Sequence, residues 1–141
     1  MRKLKLKLDK GVCGPYLEKL YYSLHDKNLE CLQLHSMYLE KHTFSSHKLH
    51  YIAEEFSLKK LSIQNFWGFK TIDFLSRLTN KIEKLKLVNL LLTEKEVKTL
   101  TMKLKYCQLS NIRYMHLDGF RDVSPGAFIE FIKALARKSN L

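Results

Sequence analysis

Long apolar runs are missing from this chain of 141 residues. The longest, around Leu90-Leu91-Leu92, falls far short of the ~18 residues that a membrane-spanning helix needs. The N-terminal Met-Arg-Lys-Leu-Lys-Leu-Lys-Leu lacks the uninterrupted apolar core of a secretory signal, so a cytoplasmic or nuclear protein is expected. Cysteine is scarce and odd in number: Cys13, Cys31 and Cys107, no two of them close. That spacing excludes a disulfide framework and a CxxC metal site, and leaves three reduced thiols that serve mainly as packing residues. Pro15 and Pro125 are the only prolines, and neither falls inside an expected strand or helix interior.

Catalytic signatures are missing too. There is no GxSxG, P-loop, HExxH or glycine-rich phosphate loop. Cys31 precedes His35, but a Cys–His pair without a third, orienting group is not a nucleophile system. His47 and His50 have ligand-like spacing without a third or fourth ligand nearby, and His25, His42 and His116 are scattered. No enzyme activity, metal or cofactor is expected. Acidic residues are few, 14 against 25 Lys and Arg, for a net charge of +11. Such a balance suits an acidic partner or polyanions, unless the lysines only solubilise the chain.

What is present is a repeated phrase, Leu-x-x-Leu-x-Ile. Its copies are Met1-Leu4-Leu6, Leu29-Leu32-Leu34, Leu58-Leu61-Ile63, Ile82-Leu85-Leu87 and Ile112-Met115-Leu117. The starts lie 28, 29, 24 and 30 residues apart, and all fifteen positions are Leu, Ile or Met. Each copy ends in an alternating run such as Leu61-Ser62-Ile63 or Leu85-Lys86-Leu87, which reads as a half-buried strand. A helical pattern follows each strand. Apolar residues recur at helical spacing in Leu17-Leu20-Tyr21-Leu24, Leu49-Ile52-Ala53-Phe56, Ile72-Leu75-Leu78, Val97-Leu100-Thr101-Leu104 and Phe128-Phe131-Ile132-Leu135. Thr93-Glu94-Lys95-Glu96 reads as a capping box, and Ser124-Pro125 as an N-cap before a first-turn proline. Gly14-Pro15 marks the start of the first helix less specifically.

One strand and one helix cannot bury their apolar faces alone, but stacked copies can. The expected fold is therefore α/β: a strand–helix repeat solenoid of about five repeats, residues 1–141, starting near 1, 29, 58, 82 and 112. A parallel sheet forms its concave face and helices its convex face. A doubly wound sheet, buried on both faces, would need near-continuous apolar strands instead of this alternation. Neither end shows a capping unit, so either a longer array or self-association through the C-terminal repeat is expected.

The phrase and its spacing resemble leucine-rich repeats of the ribonuclease-inhibitor-like type. That pattern continues to an Asn or Cys three residues after the last Leu. Here those positions are Asp9, Met37, Phe66, Leu90 and Phe120, while Asn65, Asn89 and Gly119 stand one place earlier. The polar ladder is absent or displaced. A narrower likeness is to the FTH domain that follows the F-box in nematode F-box proteins. It rests on Pro15-Tyr16-Leu17-Glu18-Lys19 through Leu32, on Phe56 to Phe66 (without the family's initial Trp), on Ile72-Asp73-Phe74-Leu75 and on Thr93 to Leu100. This resemblance implies substrate recognition for an F-box-type ubiquitin ligase adaptor.

Residues between the leucines should face solvent and stack in rows across the sheet. The first row is Lys3, Cys31, Lys60, Lys84 and Tyr114. The second is Lys5, Gln33, Ser62, Lys86 and His116. The third is Lys7, His35, Gln64, Val88 and Asp118. Six of these fifteen are Lys and one is acidic, so positive charge concentrates on this face. Lysines on the edge strand also discourage unwanted pairing, which accounts for Lys3, Lys5 and Lys7 but not for Lys60, Lys84 and Lys86. Trp67, beside Gly68 and between Phe66 and Phe69, is expected at the rim as an interface anchor. The expected function is protein binding through Lys5, Gln33, His35, Lys60, Ser62, Gln64, Lys84, Lys86, Tyr114, His116 and Trp67. The alternative is a polyanion or RNA module using the same lysines, although the strands do not interleave them with stacking aromatics.

Overall fold

The computed structural model describes residues 3–8, 29–36, 58–65, 78, 81–106 and 108–138. Five strands, β1 (Lys3–Leu8), β2 (Cys31–Ser36), β3 (Lys60–Gln64), β4 (Lys84–Leu92) and β5 (Tyr114–Phe120), form one sheet in sequence order. Every pairing is parallel. Helix α1 (Glu94–Lys105) follows β4, and α2 (Pro125–Ala136) follows β5. The chain is thus α/β with an all-parallel sheet, and no described helix is long and apolar enough to cross a membrane.

The register keeps the repeated phrase in line. Leu4, Leu32, Leu61, Leu85 and Met115 form one continuous row of partners, and Leu6, Leu34, Ile63, Leu87 and Leu117 form the next. On the inner strands these side chains are buried, together with the leading Leu29, Leu58, Ile82 and Ile112. Each such burial contributes roughly 1.5–3 kcal/mol. Leu4, Met115 and Leu117 are only partly buried, because β1 and β5 each have one neighbour.

The strand entrances repeat as closely. The Glu30 carbonyl accepts N–H bonds from Lys59 and Lys60 at 2.8 and 3.0 Å. The Lys59 carbonyl accepts from Glu83 and Lys84, and the Glu83 carbonyl from Arg113 and Tyr114. At the strand exits, Asn65, Asn89 and Gly119 adopt φ of 62°, 57° and 85°. They directly follow the aligned Gln64, Val88 and Asp118, so left-handed residues form a row of their own. Asn and Gly are the residues that reach this region most readily. Asn89 Nδ2 donates to Asn65 Oδ1 at 3.1 Å. Asn65 and Asn89 thus pair one residue past the aligned Gln64 and Val88. The next described residues carry apolar packing: Leu90 is buried, and Phe120 meets Phe128 of α2 edge-on, with centroids 5.1 Å apart.

Both helices begin as their sequences indicate. The Glu96 carboxylate accepts from the Thr93 N–H at 3.0 Å and from the Thr93 hydroxyl. Ser124 Oγ accepts from the Ala127 N–H at 3.3 Å, with Pro125 in the first turn. Val97, Leu100, Thr101 and Leu104 of α1 are all buried. The α2 pattern needs a correction: Phe131 and Ala134 are buried, but Ile132 is 49% exposed and Ile129 54%. Thr101 holds the position in α1 that Ile132 holds in α2, and it is 7% exposed because α2 packs alongside. Among the described residues no helix lies beyond α2, which leaves that flank open. The helices expected around residues 17–24, 49–56 and 72–78 lie outside the described residues, apart from Leu78, which is buried in the core.

Candidate functional site

The side of the sheet away from α1 and α2 carries the three rows in the order read from the sequence. Lys3, Cys31, Lys60, Lys84 and Tyr114 are successive partners. So are Lys5, Gln33, Ser62, Lys86 and His116, and then Lys7, His35, Gln64, Val88 and Asp118. Alternation makes this unavoidable: if every second side chain enters the leucine core, those between must leave it.

This face forms an open hollow of about 730 Å³. Lys5, Gln33 and His35 line it on β1 and β2, and Lys60, Ser62 and Gln64 on β3. Lys84, Lys86 and Tyr114 also line it, on β4 and β5. His116 shares the face but is not part of this lining; its Nδ1 lies 3.5 Å from the Tyr114 hydroxyl. Trp67 lies outside the described residues, as do His47 and His50. Among the described residues, no three His, Cys, Asp or Glu side chains gather where a metal could be held. Cys31 and His35 stand four residues apart on one strand, about 13 Å, too far for a nucleophile–base pair.

Ser62 departs from expectation. It belongs to the outer face yet is only 6% exposed. Its side chain is short and forms the floor beneath longer neighbours. His35 Nε2 lies 3.3 Å from Ser62 Oγ, and Gln64 Nε2 donates to the same oxygen at 3.5 Å. One hydroxyl thus links the second and third rows across two strands.

Charge on this face is uneven, a feature the solvent-facing rows alone do not reveal. The residues just before the strands run Glu30, Lys59, Glu83 and Arg113, alternating in sign from strand to strand. Glu30 and Glu83 line the hollow and offset Lys60 and Lys84 at that rim. The signal was available in the second residue of each repeated phrase. Deeper along the strands the described lysines form no ion pair on this face. Among the described residues, no carboxylate lies within ion-pair distance of Lys5, Lys7 or Lys86. His35 registers this field: its pKa is lowered, first by burial and then by Lys5, Lys86 and Lys7.

A pH dependence follows. The folded state holds His35 below its ordinary pKa of about 6.5, so the unfolded chain binds this proton more readily. Stability through His35 is present above about pH 6.5 and falls as pH drops through the folded value. His35→Gln should flatten the slope of denaturation midpoint against pH between about 7 and 5. An unchanged slope would show that His35 titrates alike in both states.

Comparison with protein-family models, with curated proteins and with solved structures finds no match for this chain.

Proposed function

We propose that this chain is a leucine-rich-repeat-like solenoid of about five strand–helix units that binds another protein through the open face of its sheet. It acts by surface complementarity and carries out no reaction. The observation that supports this most is the open face on inner strands of a parallel sheet, where both faces are normally covered. Lys60 and Lys84 stand exposed on β3 and β4, which are not edges, so blocking edge pairing does not explain them. Recognition of a substrate for an F-box-type ubiquitin ligase adaptor is the specific form of binding that the sequence resemblance favours.

The test compares partners retained by the intact chain with those retained by Lys60→Glu/Lys84→Glu/Lys86→Glu. The triple variant should keep its thermal midpoint and lose its partner, while Lys98→Glu/Lys133→Glu, on the helices, should keep both. Retention by the triple variant would sink this reading. The second reading, binding of RNA or another polyanion, is favoured by the same lysines. It predicts affinity for a uridine dodecamer that falls steeply and linearly with log salt, by about 0.7 per phosphate neutralised.

A further inference from the structure

The open face concentrates donors at one place. Lys5 and Lys7 come from β1, His35 from β2, Ser62 and Gln64 from β3, and Lys86 from β4. The His35 ring and the Gln64 amide both lie against the Ser62 hydroxyl, at 3.3 and 3.5 Å. Lys5, Lys7 and Lys86 all act on His35 through space. Ammonium, hydroxyl and carboxamide groups can each direct a proton toward a ligand, and so can an imidazolium. Among the described residues, carboxylates stand away from His35 itself. Glu30 and Glu83 sit at the strand entrances, and Asp118 lies three strands from His35, about 14 Å at ~4.8 Å per strand. That exceeds the screening length of ~8 Å at physiological salt.

Resting on the protein-binding reading above, we propose that the hollow seats the phosphate of a phosphorylated side chain on the partner, over His35 and Ser62 and between Lys5 and Lys86. A phosphomonoester brings a charge of about −1.5 to −2 and three acceptor oxygens. Lys5 and Lys86 in the lining, Lys7 on the same face beside it, and a cluster of neutral donors match that better than they match one carboxylate. A continuous polyanion fits less well, since its track would meet Glu30 and Glu83 at one rim or Asp118 beyond β4. The imidazole couples to occupancy. Burial and three neighbouring lysines lower its pKa, and an anion that offsets those lysines raises it. Binding therefore favours the protonated ring and is coupled to proton uptake.

The experiment follows the His35 ring resonance of the intact chain during pH titration. The probes are sodium phosphate against sodium chloride at equal ionic strength, a phosphoserine pentapeptide, its glutamate counterpart and a uridine dodecamer. Phosphate and the phosphoserine peptide should move the His35 midpoint upward, and chloride should not. Lys5→Gln or Lys86→Gln should weaken the phosphoserine peptide roughly five- to tenfold, while Lys98→Gln on α1 should not. The proposal is overturned by a response no larger than chloride's, or by free phosphate binding without the phosphoserine peptide. It also falls if the glutamate peptide or the dodecamer binds as tightly, or if Lys98→Gln weakens binding as much. The broader reading fails separately. If phosphatase-treated partner still binds the intact chain but not the Lys60→Glu/Lys84→Glu/Lys86→Glu variant, only the phosphate seat is wrong. If that triple variant retains the partner, the binding face itself is wrong.

Discussion

Replacing Leu85 with alanine is expected to destabilise the fold by about 2–5 kcal/mol. Leu85 is fully buried on β4, between Leu61 on one side and Met115 on the other. It belongs to one buried cluster with Val97, Leu100 and Leu104 of α1, so its loss leaves a cavity in the shared core. Lys86, the next residue, points to the opposite face, and Lys86→Ala should change stability by no more than about 0.5 kcal/mol. Urea denaturation of both variants measures the contrast. Comparable losses would mean that the two faces of β4 are assigned wrongly. Ser62 falls between these cases: Ser62→Ala removes a covered hydroxyl that two side chains contact, at a cost of about 1 kcal/mol.

The second large effect is expected at Gly119. Its φ of +85° is costly for any residue with a Cβ, and a Cβ there would lie 2.8 Å from the Asn89 Cα and 3.1 Å from the Asn89 N. Both neighbours are backbone atoms of β4, so the strand itself must move. Gly119→Ala should cost on the order of 1–3 kcal/mol. Gly126, at the start of α2, is the internal control. An added Cβ meets nothing within 4 Å, so Gly126→Ala should be neutral or stabilising by up to about 1 kcal/mol. Thermal unfolding of the two variants distinguishes them. A Gly119→Ala midpoint equal to that of Gly126→Ala would show that β4 and β5 approach less closely at their exits.

Much of this arrangement can be read from residue order because one constraint governs it. When leucines at matching positions share a core, the rows between them are determined by alternation, and Lys5, Gln33, Ser62, Lys86 and His116 fall into line. The caps at Thr93 and Ser124 were equally legible, since each depends on residues within one turn. Features set by neighbours in space were not. Ile132 has the spacing of a buried residue, and only the lack of a helix beside it among the described residues leaves it exposed. Ser62 looks solvent-facing in the sequence, yet it is buried, with His35 of β2 and Gln64 of its own strand against its hydroxyl. Net charge overstates the lysines available for binding. Lys103 Nζ donates to the Leu78 carbonyl at 2.9 Å, and Lys138 Nζ to the Leu109 carbonyl at 2.7 Å. Those two lysines satisfy loop backbone beneath the helices, and nothing in their spacing announces it.

The sequential strand order also bears on how the chain orders itself. Lys3 faces Cys31, Cys31 faces Lys60, Lys60 faces Lys84, and Lys84 faces Tyr114. No pairing along the sheet closes a loop longer than about 30 residues, and closure entropy grows only with the logarithm of loop length. Each strand can therefore join or leave an existing edge without disturbing pairings farther in. Among the described strands, β1 and β5 each have one partner. β1 carries Lys5 and Lys7, two of the three lysines that act on His35, and β4 supplies the third, Lys86. A ligand held between Lys5 and Lys86 would bridge four strands and fasten a terminal strand to an inner one. Occupancy of the face and order at the start of the sheet would then rise together, by mass action.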